Sequence, residues 1–424
     1  MFHLIYKGYG GPVKALLLLG GISLRYAEAS QKTLGSTMIN PSNMSLIPEG
    51  NSTTLGITQA AINVFLASQQ DDGLIAGLGY WQVANGYTAI ALHDLWSNNN
   101  NNTTSSNSGI LEELISKVEV NNTNCINDMN DDSMWWAVCS LELFDLTASP
   151  SHLTVAEAIW EHVNHFVIPA GKYVINGTDM GGGVIWSSKP NETQVNAVTT
   201  GLYAELSARL ASQQTNETYR EEFLASAINS FSWILRSRFD QDGYVVLDHV
   251  DLITGESYNW TFTYNTGQAI AASVAIYNTL RAKDLDLIQS ATTEAYLDLA
   301  CNMASHALNR SSWVDVNGTL TEPGAYPGTG PDKKPAWQND DAIGFKSILL
   351  RSLAKLYRVL VRDDTHPEMQ TQLVDFIQTQ FQSLQLRDTN GQGQYGPWWD
   401  GPMDLPTSHS QMAALDVMAA IHAV

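Results

Sequence analysis

Asn130-Asp131-Asp132-Ser133-Met134-Trp135-Trp136-Ala137 sets two adjacent carboxylates and two adjacent indoles at the mouth of an apolar run. From Trp135 to Leu146 apolar residues recur at helical spacing, as Trp136, Val138, Leu141 and Phe144. The pattern predicts a helix and places Asp131 and Asp132 in its entering loop or first turn, outside any core. Neighbours within a helix point about 100° apart, whereas in an entry loop their side chains splay around one bound sugar and reach different atoms of it. A retaining glycosidase needs a carboxylate nucleophile and a carboxylic acid donor about 5 Å apart, a spacing that neighbouring Asp residues can meet. Trp135 or Trp136 would supply the apolar platform. Asp also favours helix starts for reasons of capping and dipole alone, and Asp-Asp recurs at Asp71-Asp72, Asp340-Asp341 and Asp363-Asp364. The indoles are what single out this pair.

Helical patterns of the same kind run outward in both directions. They cover 57–68, 83–96, 110–118, 134–146, 155–167, 194–211, 219–238, 267–280, 292–308, 343–361, 369–384 and 410–422, about a dozen in all. Their apolar positions are backed by Ala, Gly and Ser, as in Val198, Gly201, Leu202, Ala204, Leu206 and Ala208, which lets helices approach closely. Long connections after alternate helices carry Gly and aromatic residues: 77–81, 124–134, 181–186, 258–265, 326–338 and 395–400. Helical hairpins in a ring would bring these loops to one rim, where they would line one cleft. Tyr244 to Leu252 reads as a strand, with a turn at Thr254-Gly255 and a return strand. The fold expected is therefore all-α, an (α/α)6 toroid of six helical hairpins with a small β-hairpin insertion, formed by residues 55–424 as one domain.

The chain carries 22 Lys plus Arg against 43 Asp plus Glu, a formal charge of −21, with no basic cluster. That makes nucleic acid a poor partner and favours a neutral substrate over an acidic polysaccharide. Asn-X-Ser/Thr occurs eleven times, at Asn43, Asn51, Asn101, Asn102, Asn121, Asn176, Asn191, Asn216, Asn259, Asn309 and Asn317, which points to a secreted or cell-surface glycoprotein. Residues 1–29 fit a slightly irregular signal peptide: Lys7 and Lys14 precede the short apolar run Ala15 to Leu19, and Ala27-Glu28-Ala29 resembles a peptidase site. A polar lead at 30–54 follows, and no apolar stretch is long enough for a transmembrane helix. Cys125, Cys139 and Cys301 allow at most one bridge. His162 and His165 beside Glu161 lack ligand spacing, so neither a metal nor a cofactor is expected, and the chain is expected to act as a monomer.

Asp131-Asp132 before Trp135-Trp136-Ala137, Gly181-Gly182-Gly183 before Trp186, Asn196 with Gly201-Leu202, Thr263-Tyr264-Asn265-Thr266-Gly267 and Phe345-Lys346 stand in the order of the motifs of glycoside hydrolase family 76, which the chain resembles over roughly residues 55–424. The resemblance implies an (α/α)6 barrel. It also implies an activity on alpha-1,6-mannan, the range being hydrolysis of long mannan, trimming of a short glycan, or transfer of one in cell-wall assembly. By position, Asp131 resembles the family's nucleophile and Asp132 its acid/base. Met180, Val195, Thr266 and Ser347 depart from the family pattern. For substrate contacts the sequence offers Trp81, Trp135, Trp136, Trp186, Tyr264, Trp398 and Trp399 as sugar platforms. Asn85 and Asn265 are hydrogen-bonding candidates beside those aromatics, and Lys346 could reach into the cleft. Two alternatives stand beside this reading. One is a glycan-binding wall protein on the same toroid, which would not need a carboxylate pair; the other is an inverting glycosidase pairing the site with Asp340 or Asp400.

Overall fold

Six helices, of which α6, α8 and α13 are richest in Ala, Gly, Ser and Thr, form a closed inner ring: α2 (Tyr80–Ser97), α4 (Asn130–Thr147), α6 (Ala197–Gln213), α8 (Thr263–Arg281), α11 (Phe345–Arg362) and α13 (Ser408–Ala420), with α13 packing back on α2. In this computed structural model the described residues are 53–97, 106–282, 287–322 and 340–424. Outside the ring lie α1 (Thr54–Leu66), α3 (Ser108–Asn121), α5 (Pro150–Asn164), α7 (Glu217–Ser237), α9 (Leu287–Leu308) and α12 (Pro367–Arg387), and a one-turn helix α10 (Asp340–Ile343) leads into α11. This is the expected (α/α)6 toroid. The proposed leader at 1–29, nearly all of the polar lead, the loop 326–338 and the sequons at Asn43, Asn51, Asn101 and Asn102 lie outside the described residues.

The composition of the ring follows from its position. An inner helix touches two ring neighbours and an outer helix, so it is buried on nearly every face and has no room for a long apolar side chain at each contact. Gly267 shows the limit: a Cβ there would stand 2.7 Å from the Cα of Leu349, so α8 and α11 meet backbone to backbone. The outer helices, by contrast, bury a single stripe, such as Phe223, Ala227, Phe231 and Ile234 on α7.

The axis of the toroid is filled by charges rather than by apolar side chains. Arg351 on α11 binds Asp416 on α13 through Nε (2.7 Å) and Asn85 on α2 through Nη1 (2.8 Å). One turn on, Lys355 reaches Glu142 on α4 at 2.8 Å and Glu205 on α6 at 2.9 Å. Gln268 of α8 donates to Glu205 at 2.6 Å, and Arg209 completes the set on Glu142 at 2.6 Å. All six inner helices thus contribute to one buried polar plug, in which each charge is paired as burial requires.

Strand structure is richer than the single expected hairpin. The predicted run 244–252 is split into β5 (Val245–Val246), which pairs with β4 (Phe239–Asp240), and β6 (His249–Asp251), which pairs with β7 (Ser257–Tyr258). The split falls where Leu247 N bonds Arg238 O and Asp248 O accepts from Ala197 N, taking the backbone out of one sheet and into the next. A third strand, β3 (Gln194–Asn196), joins β6; it precedes α6 without a break and so reads as helix from its periodicity. A further pair, β1 (Val174–Ile175) and β2 (Thr178–Asp179), stands apart. All three cysteines are buried and free.

Candidate active site

The N-terminal ends of five inner helices, α2, α4, α6, α8 and α11, converge on one cleft of about 1010 Å³. Asp131 and Asp132 sit in the first turn of α4, behind Met129, which makes no side-chain cap. They are therefore not the helix cap. The entering loop is tied down instead by Asn127 and Ser133: Asn127 N donates to Ser133 Oγ (3.0 Å), and Asn127 Oδ1 accepts from Met129 N (2.8 Å). Both carboxylates face the cleft.

Each carboxylate has its own holder. Asp131 Oδ2 accepts from Trp186 Nε1 at 2.9 Å and its Oδ1 from Asp132 N at 3.0 Å. Asp132 Oδ2 accepts from Asn127 Nδ2 at 2.9 Å. Trp186 is carried by the triple-glycine loop, and all three glycines are there for contact. A Cβ on Gly181, Gly182 or Gly183 would come within 3 Å of Ala170, Asn229 or Trp233 respectively. Asn130 N then binds Trp186 O at 2.9 Å, fixing the loop to the start of α4.

Burial pushes Asp131 up to about 8, the nearby Asp132 charge adding to it and the Trp186 bond opposing it. Burial likewise pushes Asp132 up to about 6, with the Asn127 bond opposing and Asp341 adding to the rise. Between these values the pair holds one proton. Asp131 is the carboxylate with two hydrogen-bond donors aimed at it. Those donors favour its anion.

Of the other sequence candidates, Trp81, Trp135, Trp186 and Tyr264 line the cleft. Trp136 points the other way, as the helical rotation between neighbours requires, and is fully buried against Tyr80 and Tyr87, its ring centroids 5.3 and 5.9 Å away. Asn85 is buried one turn along α2, donating to Trp81 O (2.9 Å) and accepting from Arg351. Lys346 is buried too, its Nζ donating to Pro397 O at 2.8 Å over the ring of Trp399. Trp398 and Trp399 are core rather than platform. Asn265 stands one layer back, its Nδ2 on Asp248 Oδ1 at 3.0 Å.

Several residues of the cleft escape sequence reasoning. Asp248 accepts from Tyr264 Oη (3.2 Å) and contacts His249 Nδ1 (2.8 Å). Asp341 lies at the cleft and accepts from Trp81 Nε1 (3.0 Å) and Gln82 Nε2 (2.6 Å), whereas Asp400, weighed for an inverting site, is not among the described lining. Asn196 lines the cleft with a buried Oδ1 that has no partner. Among the described residues the lining holds no Lys or Arg, and no group of His, Cys, Asp and Glu could hold a metal ion.

A model of Glycosyl hydrolase family 76 matches residues 53–423. Among solved structures, the chain is similar to the GH76A alpha-1,6-mannanase of Salegentibacter sp. HEL1_6, at 21% identity, with 87% of this chain and 99% of that one covered and a TM-score of 0.68. An inactive form of that enzyme, with two successive aspartates changed to asparagine, is known in complex with alpha-1,6-mannotriose; it matches at 20% identity over 87% and 99% of the chains, with a TM-score of 0.68. Dfg5 from Chaetomium thermophilum, in complex with glucosamine, matches at 15% identity over 88% and 91% of the chains, with a TM-score of 0.66. At these identities the structures establish a common fold. No curated protein matches the chain.

Proposed function

The chain belongs to glycosyl hydrolase family 76, and from that premise we propose that it is a secreted or cell-surface glycosidase that cleaves alpha-1,6-linked mannan with retention of configuration. Asp131 is the nucleophile and Asp132 the acid/base. The observation that carries this reading is the carboxylate pair on one turn of α4, sharing one proton in a cleft walled by indoles. The similarity to mannanases known with alpha-1,6-mannose oligomers supplies the substrate class.

In the first step Asp131 attacks the anomeric carbon while Asp132 gives its proton to the departing oxygen, leaving a glycosyl ester on Asp131. In the second, Asp132, now a carboxylate, takes a proton from water, whose oxygen attacks the same carbon and releases Asp131. A sugar hydroxyl in place of water gives transfer by the same steps. The sugar ring carries positive charge in both transition states, and a lining that includes Asp248 and Asp341 suits it. The unpartnered Oδ1 of Asn196 is an acceptor for a sugar hydroxyl. Secretion is supported by the six described sequons outside the cleft, Asn121, Asn176, Asn191, Asn216, Asn309 and Asn317, whose asparagines are all exposed.

The test is product configuration together with single substitutions. On alpha-1,6-mannose oligomers the first-formed product, followed by NMR, keeps the alpha configuration; Asp131→Asn and Asp132→Asn each lose activity by several orders of magnitude while folding normally. Only Asp132→Asn still forms the covalent intermediate from a substrate with an activated leaving group. A first-formed beta product, or near-normal turnover in Asp131→Asn, refutes the assignment.

A further inference from the structure

We propose that the segment 258–262 is a distal saccharide-binding arm, on which the units of a mannan chain beyond the one held at Asp131 and Asp132 stack. This inference rests on the glycan-cleaving reading and extends it to substrate length. Along Tyr258-Asn259-Trp260-Thr261-Phe262-Thr263-Tyr264, aromatic and small polar residues alternate. The rings touch in succession: Tyr258 to Trp260 is 5.6 Å between centroids, Trp260 to Phe262 5.7 Å and Phe262 to Tyr264 5.8 Å.

The row continues into the cleft. Phe345 lies 5.4 Å from Phe262, Trp81 5.9 Å from Phe345, and Trp135, one turn from the carboxylates, 6.3 Å from Trp81. One aromatic wall therefore runs from the reacting centre to the rim.

At the rim end, Trp260 is 53% exposed and is the one tryptophan so exposed among the described residues. Core packing does not explain an indole left in water, since its exposed area forgoes the stabilisation that burial gives. Nor does a floppy loop. The arm is anchored by the β6–β7 ladder, by Trp313 Nε1 on Thr261 O at 3.0 Å, and by His249, whose ring stacks on Tyr258 at 4.2 Å and meets the edge of Trp260 at 5.8 Å. A rigid platform loses little freedom when a ligand lands on it. Residues 257–264 carry no ionisable acid or base other than the two phenols, so the arm suits an uncharged chain with apolar faces. The cleft, at about 1010 Å³, reaches the upper end of the range for a single drug-sized ligand, roughly 300–1,000 Å³.

The test measures affinity against chain length in the turnover-deficient Asp131→Asn/Asp132→Asn protein, by calorimetry with alpha-1,6-mannose oligomers from the disaccharide to the hexasaccharide. Affinity should rise with length. Adding Trp260→Ala should weaken hexasaccharide binding about tenfold more than disaccharide binding, and Trp260→Phe, which keeps a stacking face, should restore part of the difference. Melting curves check that each variant is folded. Equal weakening at every length, or none at any, overturns the arm while leaving the mannan reading intact. Failure of every oligomer to bind the parent removes the mannan reading, and the arm with it.

Discussion

If catalysis needs one proton on the Asp131/Asp132 pair, pH alone should switch the enzyme off in both directions. The pair takes up its first proton near the raised value of about 8 and its second near about 6. Only the singly protonated form has both a nucleophile and an acid. That form makes up about 80% of the molecules at pH 7 and about 9% at pH 5 and at pH 9, by two-step titration with those values. The profile of kcat/KM on an unactivated alpha-mannoside should therefore be a bell centred near pH 7, falling about ninefold at two units on either side. Asp132→Asn sharpens the test. With a leaving group that needs no proton, this variant should lose the alkaline limb. Its acidic limb then belongs to Asp131 alone and should lie below about 8, because the Asp132 charge is gone, yet above an ordinary aspartate near ~3.9, because burial remains. A bell whose acidic limb sits near the ordinary value, or an Asp132→Asn profile that keeps its alkaline limb, refutes the reasoning.

Trp186→Phe removes the indole N–H on Asp131 without removing the ring, and a hydrogen bond to a charged group contributes about 1.5–3 kcal/mol; kcat/KM should fall about 10- to 150-fold, with the acidic limb moving up. Asp131→Asn should melt at a higher temperature than the parent. An aspartate held protonated up to about 8 when folded and ionised near its ordinary value when unfolded loses stability as pH rises through that window, so the gain should grow from pH 4 to pH 8 in thermal melts. Lys355→Met leaves Glu142 and Glu205 short of a cation in the toroid axis and should cost about 3–5 kcal/mol in urea unfolding. Burial raises Glu142, but Arg209 and Lys355 outweigh it and hold it at about 2, so the stability that Glu142 contributes is present above its ordinary pKa and is lost as pH falls toward that value.

The toroid was legible because its signal is repetitive. Inner helices such as α6 must be small on every face, outer helices such as α7 need one stripe, and a dozen alternations leave little else to build. The sequence also located the carboxylate pair and the loop carrying Trp186. Direction was what it left open. Trp135 and Trp136 are equal as letters, yet one lines the cleft and the other packs on Tyr80 and Tyr87, since the choice depends on how α4 is rotated in the ring. Lys346 and Asn85 read as cleft residues because they neighbour aromatics in the chain; in space they face the charged or carbonyl groups that burial makes them need. Asp248 and Asp341 carried no local mark. They join the site only through the residue before β6 and through α10, elements too short for any periodicity to show.

The direction of the inner helices supplies the last physical element of the site. Trp81, Asp131 and Asp132, Val198, Tyr264 and Phe345 all fall in the first turns of α2, α4, α6, α8 and α11, so five inner helices present their N-terminal ends to one cleft. Each such end carries about half a positive charge in its unsatisfied N–H groups. The lining has four carboxylates, Asp131, Asp132, Asp248 and Asp341, and among the described residues no Lys or Arg. Fixed partial charges thus offset part of the repulsion among these acids, and the Lys189 charge adds to them at Asp132. The placement also explains why the pair can lie at a helix start and still be raised: the helix ends favour the anion, burial disfavours it, and burial is the larger effect at both residues. A glycosidase of this mechanism needs that balance, one proton kept on a pair that the backbone around it would otherwise ionise twice.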